Sequence, residues 1–224
     1  RYRADLDRPK DLSRPVRPGE ESLAFSLPGP REAPVHLGSF VGDVREGGSV
    51  NCTALQLHPH GDGTHTECVG HVLEERVFVA ELLPPALMPC LVVTAAPTRL
   101  EEAGEAYEGT HAPNDLVITA RVLKAALSAL ESAPRPAAVV VRTGSGVERF
   151  GGTNPPYFTP DAISALTARG TAHVLTDLPS LDREDDGGAL CSHRRLWGLR
   201  PGQRALFGQA PSRRTVTELC QIPN

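Results

Sequence analysis

Short apolar segments bounded by glycine or proline run along the whole chain and limit the folds that it can adopt. The segments are rich in valine and threonine, which favour extended backbone, and they are shorter than a typical helix of about 11 residues. They cover residues 35–41, 50–57, 77–83, 90–95, 116–118, 137–142, 173–176 and 215–222. These segments predict a chain with many short strands.

Two segments in the second half have helical periodicity instead. Apolar residues recur at i, i+3 and i+4 over residues 120–132, which predicts one helix with a core-facing stripe. A second helix is predicted by Thr159 as the N-cap, Pro160 at the first helical position and Gly170 just beyond the end. Strand segments flank both helices. This alternation predicts an α/β fold behind a strand-rich first half.

The N-terminal part of the chain is dense in proline. Proline has no backbone N–H and blocks helix, so residues 8–35 are predicted to form an extended arm. The arm could serve function or only packing. With 224 residues the chain has the length of one domain, since single domains often reach about 200 to 250 residues. We therefore expect one domain over residues 1–224 with the arm on its surface.

Composition excludes several partners. The net charge of -4 provides no broad basic surface, so no nucleic acid partner is expected. No apolar run approaches the roughly 20 residues of a membrane span, so no membrane insertion is expected. Five cysteines, an odd number without a CxxC pair, predict no disulfide framework and favour a cytoplasmic setting. A small-molecule substrate is the remaining expectation.

Most of the side chains capable of chemistry fall in one segment, HPHGDGTHTECVGH, which is residues 58–71. Alternate side chains of an extended backbone share a face, so His65, Glu67 and His71 can point into one cavity. Histidine and carboxylate side chains are zinc ligands, and this density predicts a metal site. The alternative is a polar turn with solvated histidines.

His60 has the wrong parity to share that face. Gly61 and Gly63 permit a left-handed or bulged backbone, which is predicted to turn His60 toward the other ligands. Thr64 and Thr66 then point away from the cavity, where their hydroxyl groups could orient the imidazoles.

A metal site seldom draws on one segment, so further ligands are expected elsewhere in the chain. A strand ends at Asp177, and an acidic loop with Asp182 follows it before His193. Taken singly, His193 is more typical of a surface loop. Glu218 stands in an apolar strand segment, where a buried carboxylate requires a cation or strong donors.

Two other patterns are weaker. Gly144 and Gly146 follow a strand segment, but the spacing fails to give GxGxxG at Arg149 and no helix follows, so a dinucleotide site is not predicted. Cys68 beside His71 could act as a nucleophile, but no residue nearby is evident to orient the imidazole. Structural burial of Cys68 is the preferred interpretation.

Several motifs together resemble the cyclase family of metal-dependent hydrolases, which includes bacterial kynurenine formamidase (arylformamidase) and isatin hydrolase. They are DLSRPV (residues 11–16), GTHTECVGH (63–71), VVVRTG (139–144) and LTDLPSLD (175–182). The resemblance spans nearly the whole chain and is specific in combination. It implies that His65 is a metal ligand, Glu67 bridges two metals, and His71 is the general acid/base. It also implies that His193 and Glu218 are the remote ligands.

The chain departs from the family pattern at the first ligand. The family's first histidine falls at the position of Gly61, and His60 lies one residue earlier, so His60 is assigned as the ligand. A glutamate, Glu67, replaces the bridging aspartate, and the usual proline of that motif is absent. Formamidases typically carry an aromatic residue in the arm, often tryptophan. This arm has Arg17, Pro18 and Phe25, and the single tryptophan of the chain is Trp197 near His193, which leaves N-formylkynurenine as one possible substrate.

The resemblance also implies the fold and the chemistry. We expect a swivelling β/β/α domain with a small barrel-like mixed sheet, assembled as a homodimer or homotetramer. Zn²⁺ is expected, as one or two ions, with Mn²⁺ as the alternative. Such an ion lowers the pKa of water from 15.7 to about 7, and the expected reaction is hydrolysis of an amide-type C–N bond. The alternatives are a lactone or cyclic-imide hydrolase and a non-catalytic metal-binding relative.

Overall fold

The computed structural model describes residues 5–83, 87–128, 136–144, 146 and 149–223. Its strands are β1 (Arg31–Pro34), β2 (His36–Leu37), β3 (Phe40–Val41), β4 (Thr53–Gln56), β5 (His65–Glu67), β6 (Cys90–Thr94), β7 (Thr98–Arg99), β8 (Leu116–Ile118), β9 (Ala138–Arg142), β10 (Tyr157–Phe158), β11 (His173–Thr176) and β12 (Thr215–Glu218). Its helices are α1 (Pro59–Asp62), α2 (Val79–Leu82), α3 (Leu100–Ala103), α4 (Ala120–Ser128), α5 (Pro160–Ala168) and α6 (Cys191–Trp197). Single 3₁₀ turns cover Val44–Glu46 and Val69–His71.

Five strands form the central sheet in the order β5-β12-β11-β9-β6. All neighbours are parallel except β5, which runs antiparallel to β12. Val174 lies between Val139 and Val216, and all three are buried, as expected for central parallel strands. The predicted α/β fold with a mixed sheet is confirmed. Within the described residues the sheet is open, with β5 and β6 at its edges, so it is not the closed barrel that "barrel-like" would suggest.

Three helices pack with this sheet in one hydrophobic core. The shared core includes Leu123 and Leu127 of α4, Ile163 and Leu166 of α5, and Leu196 of α6. The prediction for α5 is confirmed: the Thr159 hydroxyl accepts a hydrogen bond from the Ala162 N–H at 3.1 Å, and Pro160 is the first helical residue. The prediction for residues 120–132 is confirmed as far as Ser128, and the rest of that range lies outside the described residues.

The first half holds small sheets rather than long strands. β1 pairs with β4, β2 with β3, and β10, β8 and β7 form a three-stranded sheet. The predicted strand 35–41 is wrong, because Gly38 at φ +59 turns the chain into the β2–β3 hairpin. The predicted strand 77–83 is also wrong, since it contains the one-turn helix α2. No helix among the described residues is long and apolar enough to cross a membrane.

The proline-rich arm contacts the segments that carry the histidines. Leu12 O accepts a hydrogen bond from Gln221 N at 2.7 Å, and Leu23 N donates to Gly61 O at 2.7 Å. Ala24 is buried in a small cluster with Phe150 and Leu219. The described part of the arm before β1 has no helix, as the prolines predict. These contacts place the arm over the segment that begins with α1.

Candidate metal centre

The pairing of β5 with β12 builds one side of the site. In this antiparallel ladder Glu218 lies directly opposite His65, and Val216 lies opposite Glu67. Opposed residues of neighbouring strands lie closest together, so two chain-distant candidate ligands become neighbours. The His65 Nε2 atom is 3.5 Å from Glu218 Oε2 and 3.0 Å from Glu67 Oε1.

His60 also lies beside Glu67, but the backbone that places it there differs from the predicted one. The one-turn helix α1 contains His60, and its Nδ1 contacts Glu67 Oε1. Neither Gly61 nor Gly63 has a positive φ, so the predicted left-handed or bulged backbone is wrong. Gly61 is needed for close packing instead, since a Cβ there would lie 2.4 Å from Ser22 Oγ.

The candidate ligands form two groups that share one residue. One group is His60, His65 and Glu67, and the other is Glu67, His193 and Glu218; within each group the donor atoms lie within 4.8 Å of one another. Glu67 alone belongs to both groups, which is the position that a carboxylate bridging two ions would occupy. The structure thus brings together all five residues assigned as ligands from the sequence.

Two buried atoms in this cluster lack hydrogen bonds. Glu67 Oε2 and His193 Nε2 are 3.3 Å apart, yet neither makes a hydrogen bond of acceptable geometry within the described residues. A buried polar atom without a partner costs about 1 to 3 kcal/mol. A cation between them would satisfy both atoms, and imidazole and carboxylate are suitable donors for divalent metals, so the residues fit such an ion.

Asp182 fixes the orientation of His193. His193 is buried on α6, so the expectation of a surface loop for an isolated histidine is wrong. The carboxylate Oδ2 of Asp182 accepts hydrogen bonds from the Nδ1–H of His193 at 2.7 Å and from its backbone N–H at 3.0 Å. Because Nδ1 is bound to Asp182, Nε2 is the ring nitrogen that faces the carboxylates of Glu67 and Glu218. This carboxylate–histidine arrangement is typical of metal sites.

The charges in the cluster perturb one another strongly. Burial by itself would lower the pKa of His65, but the carboxylates of Glu218 and Glu67 outweigh it and raise the pKa to about 10. Burial would raise the pKa of Glu67, yet the nearby imidazoles of His193, His60 and His65 hold that pKa well below its usual range. His193 is also buried, and Glu218 and Asp182 raise its pKa. Buried carboxylates thus demand positive charge, which protons or a metal ion can supply.

His71 lies beside the two groups but in neither of them. It ends the 3₁₀ turn Val69–His71, and its Nε2 is 3.8 Å from Glu67 Oε2. The centroid of its ring is 4.7 Å from that of His60 and 5.7 Å from that of His193. Burial lowers the pKa of His71, and His193 and His60 lower it further against the opposing effect of Glu67. A neutral imidazole at this position can accept a proton near pH 7.

Comparison with known proteins identifies the family of this chain. Residues 10–183 match the model of a family described as "Putative cyclase". The chain belongs to the cyclase family. No curated protein matches it at a significant level.

Solved structures similar to this cyclase-family chain share its fold over most of their length. One is described as a potential metal-dependent hydrolase with cyclase activity (18% identity, TM-score 0.51, 96% of this chain and 85% of that chain). Another is a predicted metal-dependent hydrolase from Bacillus stearothermophilus (16%, 0.52, 96% and 83%). A third is isatin hydrolase A from Labrenzia aggregata (18%, 0.55, 95% and 80%). At these identities the likeness establishes the fold.

Other candidate residues of this cyclase-family chain have structural roles. Asp177 accepts hydrogen bonds from the backbone N–H groups of Thr143 and Gly144, at 3.0 and 3.2 Å, and so holds the loop after β9. Thr64 donates to Leu219 O at 2.6 Å, and Thr66 bonds with the Thr217 hydroxyl, so neither orients an imidazole as predicted.

Cys68 is buried, and its Sγ donates to Val77 O at 3.3 Å. Burial raises the pKa of this thiol, which disfavours the reactive thiolate. The preferred interpretation of Cys68 as a structural residue agrees with this environment.

Sequence reasoning missed the residues behind His193. Tyr107 donates its hydroxyl to Asp182 Oδ1 at 2.8 Å and to Asp186 Oδ2 at 3.0 Å, from a segment far away in the chain. The centroid of the Trp197 ring lies 5.2 Å from that of His193, one turn along α6. For Trp197 the helical spacing from His193 was the available signal; for Tyr107 no sequence signal existed.

The cluster opens into a cleft of about 370 Å³. Its lining combines the metal-ligand candidates with His71, the apolar side chains of Phe25 and Leu27 from the arm, and Arg183. A cleft of this size admits a small molecule. The arm therefore forms part of the cleft wall.

Proposed function

We propose that this cyclase-family protein is a metal-dependent hydrolase that cleaves an amide-type C–N bond, with a small acyl compound as its substrate. The observation that carries the proposal is the pair of three-residue donor groups that share Glu67. The unsatisfied Glu67 Oε2 and His193 Nε2 support it, because both are buried and lie 3.3 Å apart. Family membership and the names of the similar structures support hydrolysis as the reaction class.

We further propose that His60, His65, Glu67, His193 and Glu218 hold one or two divalent ions, Zn²⁺ first and Mn²⁺ as the alternative. Three imidazoles favour zinc, while the two carboxylates also suit manganese. Such an ion, when bound, would polarise a carbonyl and lower the pKa of water. The Asp182 contact keeps the proton of His193 on Nδ1, away from the ion.

His71 is proposed as the acid/base residue. In its neutral form the Nε2 atom can take a proton from the attacking water. The C–O bond forms in this step. His71 can then give the same proton to the departing nitrogen, and the C–N bond breaks in that second step. Its position outside both donor groups leaves Nε2 available for this transfer.

The substrate is proposed to be an aryl formamide or a related acyl amide, with N-formylkynurenine as one member of that class. A second candidate is a cyclic imide or lactone, which the same site would open. The similarity to structures named isatin hydrolase supports cleavage of an amide-type C–N bond, since isatin is a cyclic amide. A non-catalytic metal-binding protein is the third possibility.

A homodimer or homotetramer in the cytoplasm remains part of the proposal. The sheet of β1 and β4 exposes Leu55 to 64%, and Leu37 in the neighbouring hairpin is 76% exposed. Isolated two-stranded sheets are marginally stable, which supports contact with a second copy. All five cysteines are free, which supports a reducing compartment. Light scattering on the purified protein tests the assembly.

Elemental analysis of protein purified without added metal, combined with a hydrolysis screen, tests the proposed function. The wild type is expected to carry one or two equivalents of zinc or manganese and to hydrolyse a formanilide, a cyclic imide or a lactone. Glu67→Ala and His193→Ala should each lose metal and turnover. His36→Ala is the matched control, because its exposed ring pairs with Glu46 and does not line the cleft, so this variant should retain both metal and turnover. Bound metal without turnover of any compound would favour the non-catalytic reading.

A further inference from the structure

Arg183 lies on the wall of the cleft at the junction with a second hollow. The cleft with the metal-ligand candidates and an adjoining hollow of about 410 Å³ share Phe25, Arg183, Glu184 and Asp185 in their linings. The outer hollow continues toward Gly152 and Asn154. A substrate with its scissile bond at the metal-ligand candidates could therefore extend past Arg183.

The Arg183 side chain is held rigidly and still has donors to spare. Its Nε donates to Asp115 Oδ2 at 2.9 Å, and its Nη1 donates to Asp185 O at 2.5 Å. A guanidinium has five N–H donors, and among the described residues none accepts a hydrogen bond from Nη2. The side chain is 19% exposed. A fixed guanidinium with free donors is suited to a planar anion.

Asp115 does not explain the presence of Arg183 by itself. Its carboxylate also accepts hydrogen bonds from Asn154 Nδ2 at 2.8 Å, Tyr157 OH at 3.0 Å and Ala112 N at 2.9 Å. These neutral donors already satisfy the carboxylate. Asp115 therefore acts as a fixed support that presents Arg183 toward the cleft.

The acidic residues Glu184 and Asp186 also line the cleft, but their carboxylates are engaged by backbone N–H groups. Glu184 accepts from the backbone N–H of Gly152 at 2.8 Å, and Asp186 accepts from the backbone N–H groups of Gly188 at 2.8 Å and Leu190 at 2.6 Å. Among the described residues that line the cleft, Arg183 is the one arginine or lysine. It therefore provides the cleft's side-chain cation away from the histidine cluster.

We propose that Arg183 determines specificity by binding a carboxylate that the substrate carries away from its scissile bond. The substrate class is then an N-acyl compound with an apolar linker, covered by Phe25 and Leu27, and an anionic end. The inference rests on the proposed function for the position of the scissile bond. Binding of the anion by Arg183 does not depend on the proposed function.

Matched pairs of substrates test this role. N-formylglycine, N-formyl-β-alanine and N-formyl-γ-aminobutyrate are each compared with the neutral N-formyl alkylamine of the same length, in the metal-loaded protein. We expect at least one length at which the wild type has a KM about tenfold lower for the anionic member, since a charge-assisted hydrogen bond is commonly worth that factor or more. Arg183→Gln should abolish this preference with little change for the neutral member. Arg183→Lys should retain part of it.

Arg149→Gln is the matched control, because Arg149 pairs with Glu21 outside this cleft and its loss should leave the preference unchanged. An equal effect of Arg183→Gln on anionic and neutral members would show a structural role and overturn the inference. So would a wild type without preference at any length.

Calorimetric binding of the same pairs separates the two proposals. If no compound is hydrolysed, the proposed function fails for these substrates. A binding preference for the anion that Arg183→Gln removes would then still support the role of Arg183, and its absence would overturn it.

Discussion

Replacement of Asp182 by asparagine tests the proposed metal centre without substituting any of the proposed ligands. The carboxylate is fully engaged: Oδ2 accepts from both N–H groups of His193, and Oδ1 accepts from Ser192 N at 2.7 Å and Tyr107 OH at 2.8 Å. An asparagine NH₂ in either orientation would therefore face a backbone N–H at close distance. If the NH₂ group stood at the Oδ2 position, it would also favour the imidazole tautomer with its proton on Nε2. A protonated Nε2 cannot bind a metal.

Loss of such a supporting contact typically weakens metal affinity by about 10 to 100-fold, or roughly 1.4 to 2.8 kcal/mol. Chelator competition measures the dissociation constant, and thermal unfolding of the metal-free protein measures stability separately. Asp177→Asn is the control, because Asp177 also accepts backbone N–H groups near the sheet but does not touch a candidate ligand. It should lose stability and keep metal affinity. If Asp182→Asn bound metal within a factor of about three of wild type, the assigned support of His193 would be refuted.

Three further results are expected. His71→Ala should keep its metal while its turnover falls by about 10² to 10⁴, measured by elemental analysis and steady-state rates; loss of metal would make His71 a ligand instead. Because burial lowers the pKa of His71, an NMR titration that assigns its imidazole by comparison with His71→Ala should have its midpoint below pH 6.5, and a midpoint above that value would contradict the burial argument. Cys68→Ala should retain turnover with a modest loss of stability of about 1 to 2 kcal/mol in urea unfolding, whereas lost turnover in a folded variant would revive the cysteine nucleophile.

The elements that the sequence predicted well are those whose signals are local. The capping pattern at Thr159 and Pro160 defined the start of α5, and the short apolar segments of β9 and β11 defined central strands of the sheet. Residues 77–83 have the same apolar content, but a short apolar run does not distinguish a strand from a buried helical turn. The helix α6 was missed because its helical signal is short and Leu190, at φ +48, precedes it in place of a capping side chain.

In the candidate site, too, residues with local sequence signals were predicted from spacing, and residues placed by long-range contacts were not. Alternation in β5 was sufficient to group His65 with Glu67, while its pairing with β12, which brings Glu218 opposite His65, is a long-range contact. Family resemblance, rather than spacing, selected His193 and Glu218. Neither source indicated Arg183 or Tyr107, whose roles depend on contacts with Asp115 and Asp182 that only the folded chain creates.

The displaced histidine illustrates how a shift in sequence can be absorbed by local structure. His60 lies five residues before His65, where the family pattern has four. In an extended backbone neighbouring side chains point to opposite faces, so this one-residue shift would turn His60 away from the site. The one-turn helix α1 shortens the chain instead, because helical rise per residue is about 1.5 Å against about 3.3 Å in a strand. His60 Nδ1 therefore still contacts Glu67. Glu67, one methylene longer than the aspartate that it replaces, contributes an oxygen to both donor groups from β5. The shifted His60 and the longer Glu67 thus meet in the same contact. Restoring only one of these two departures, by Glu67→Asp, should weaken metal binding measured by chelator competition. Unchanged affinity would show that the length of Glu67 does not matter.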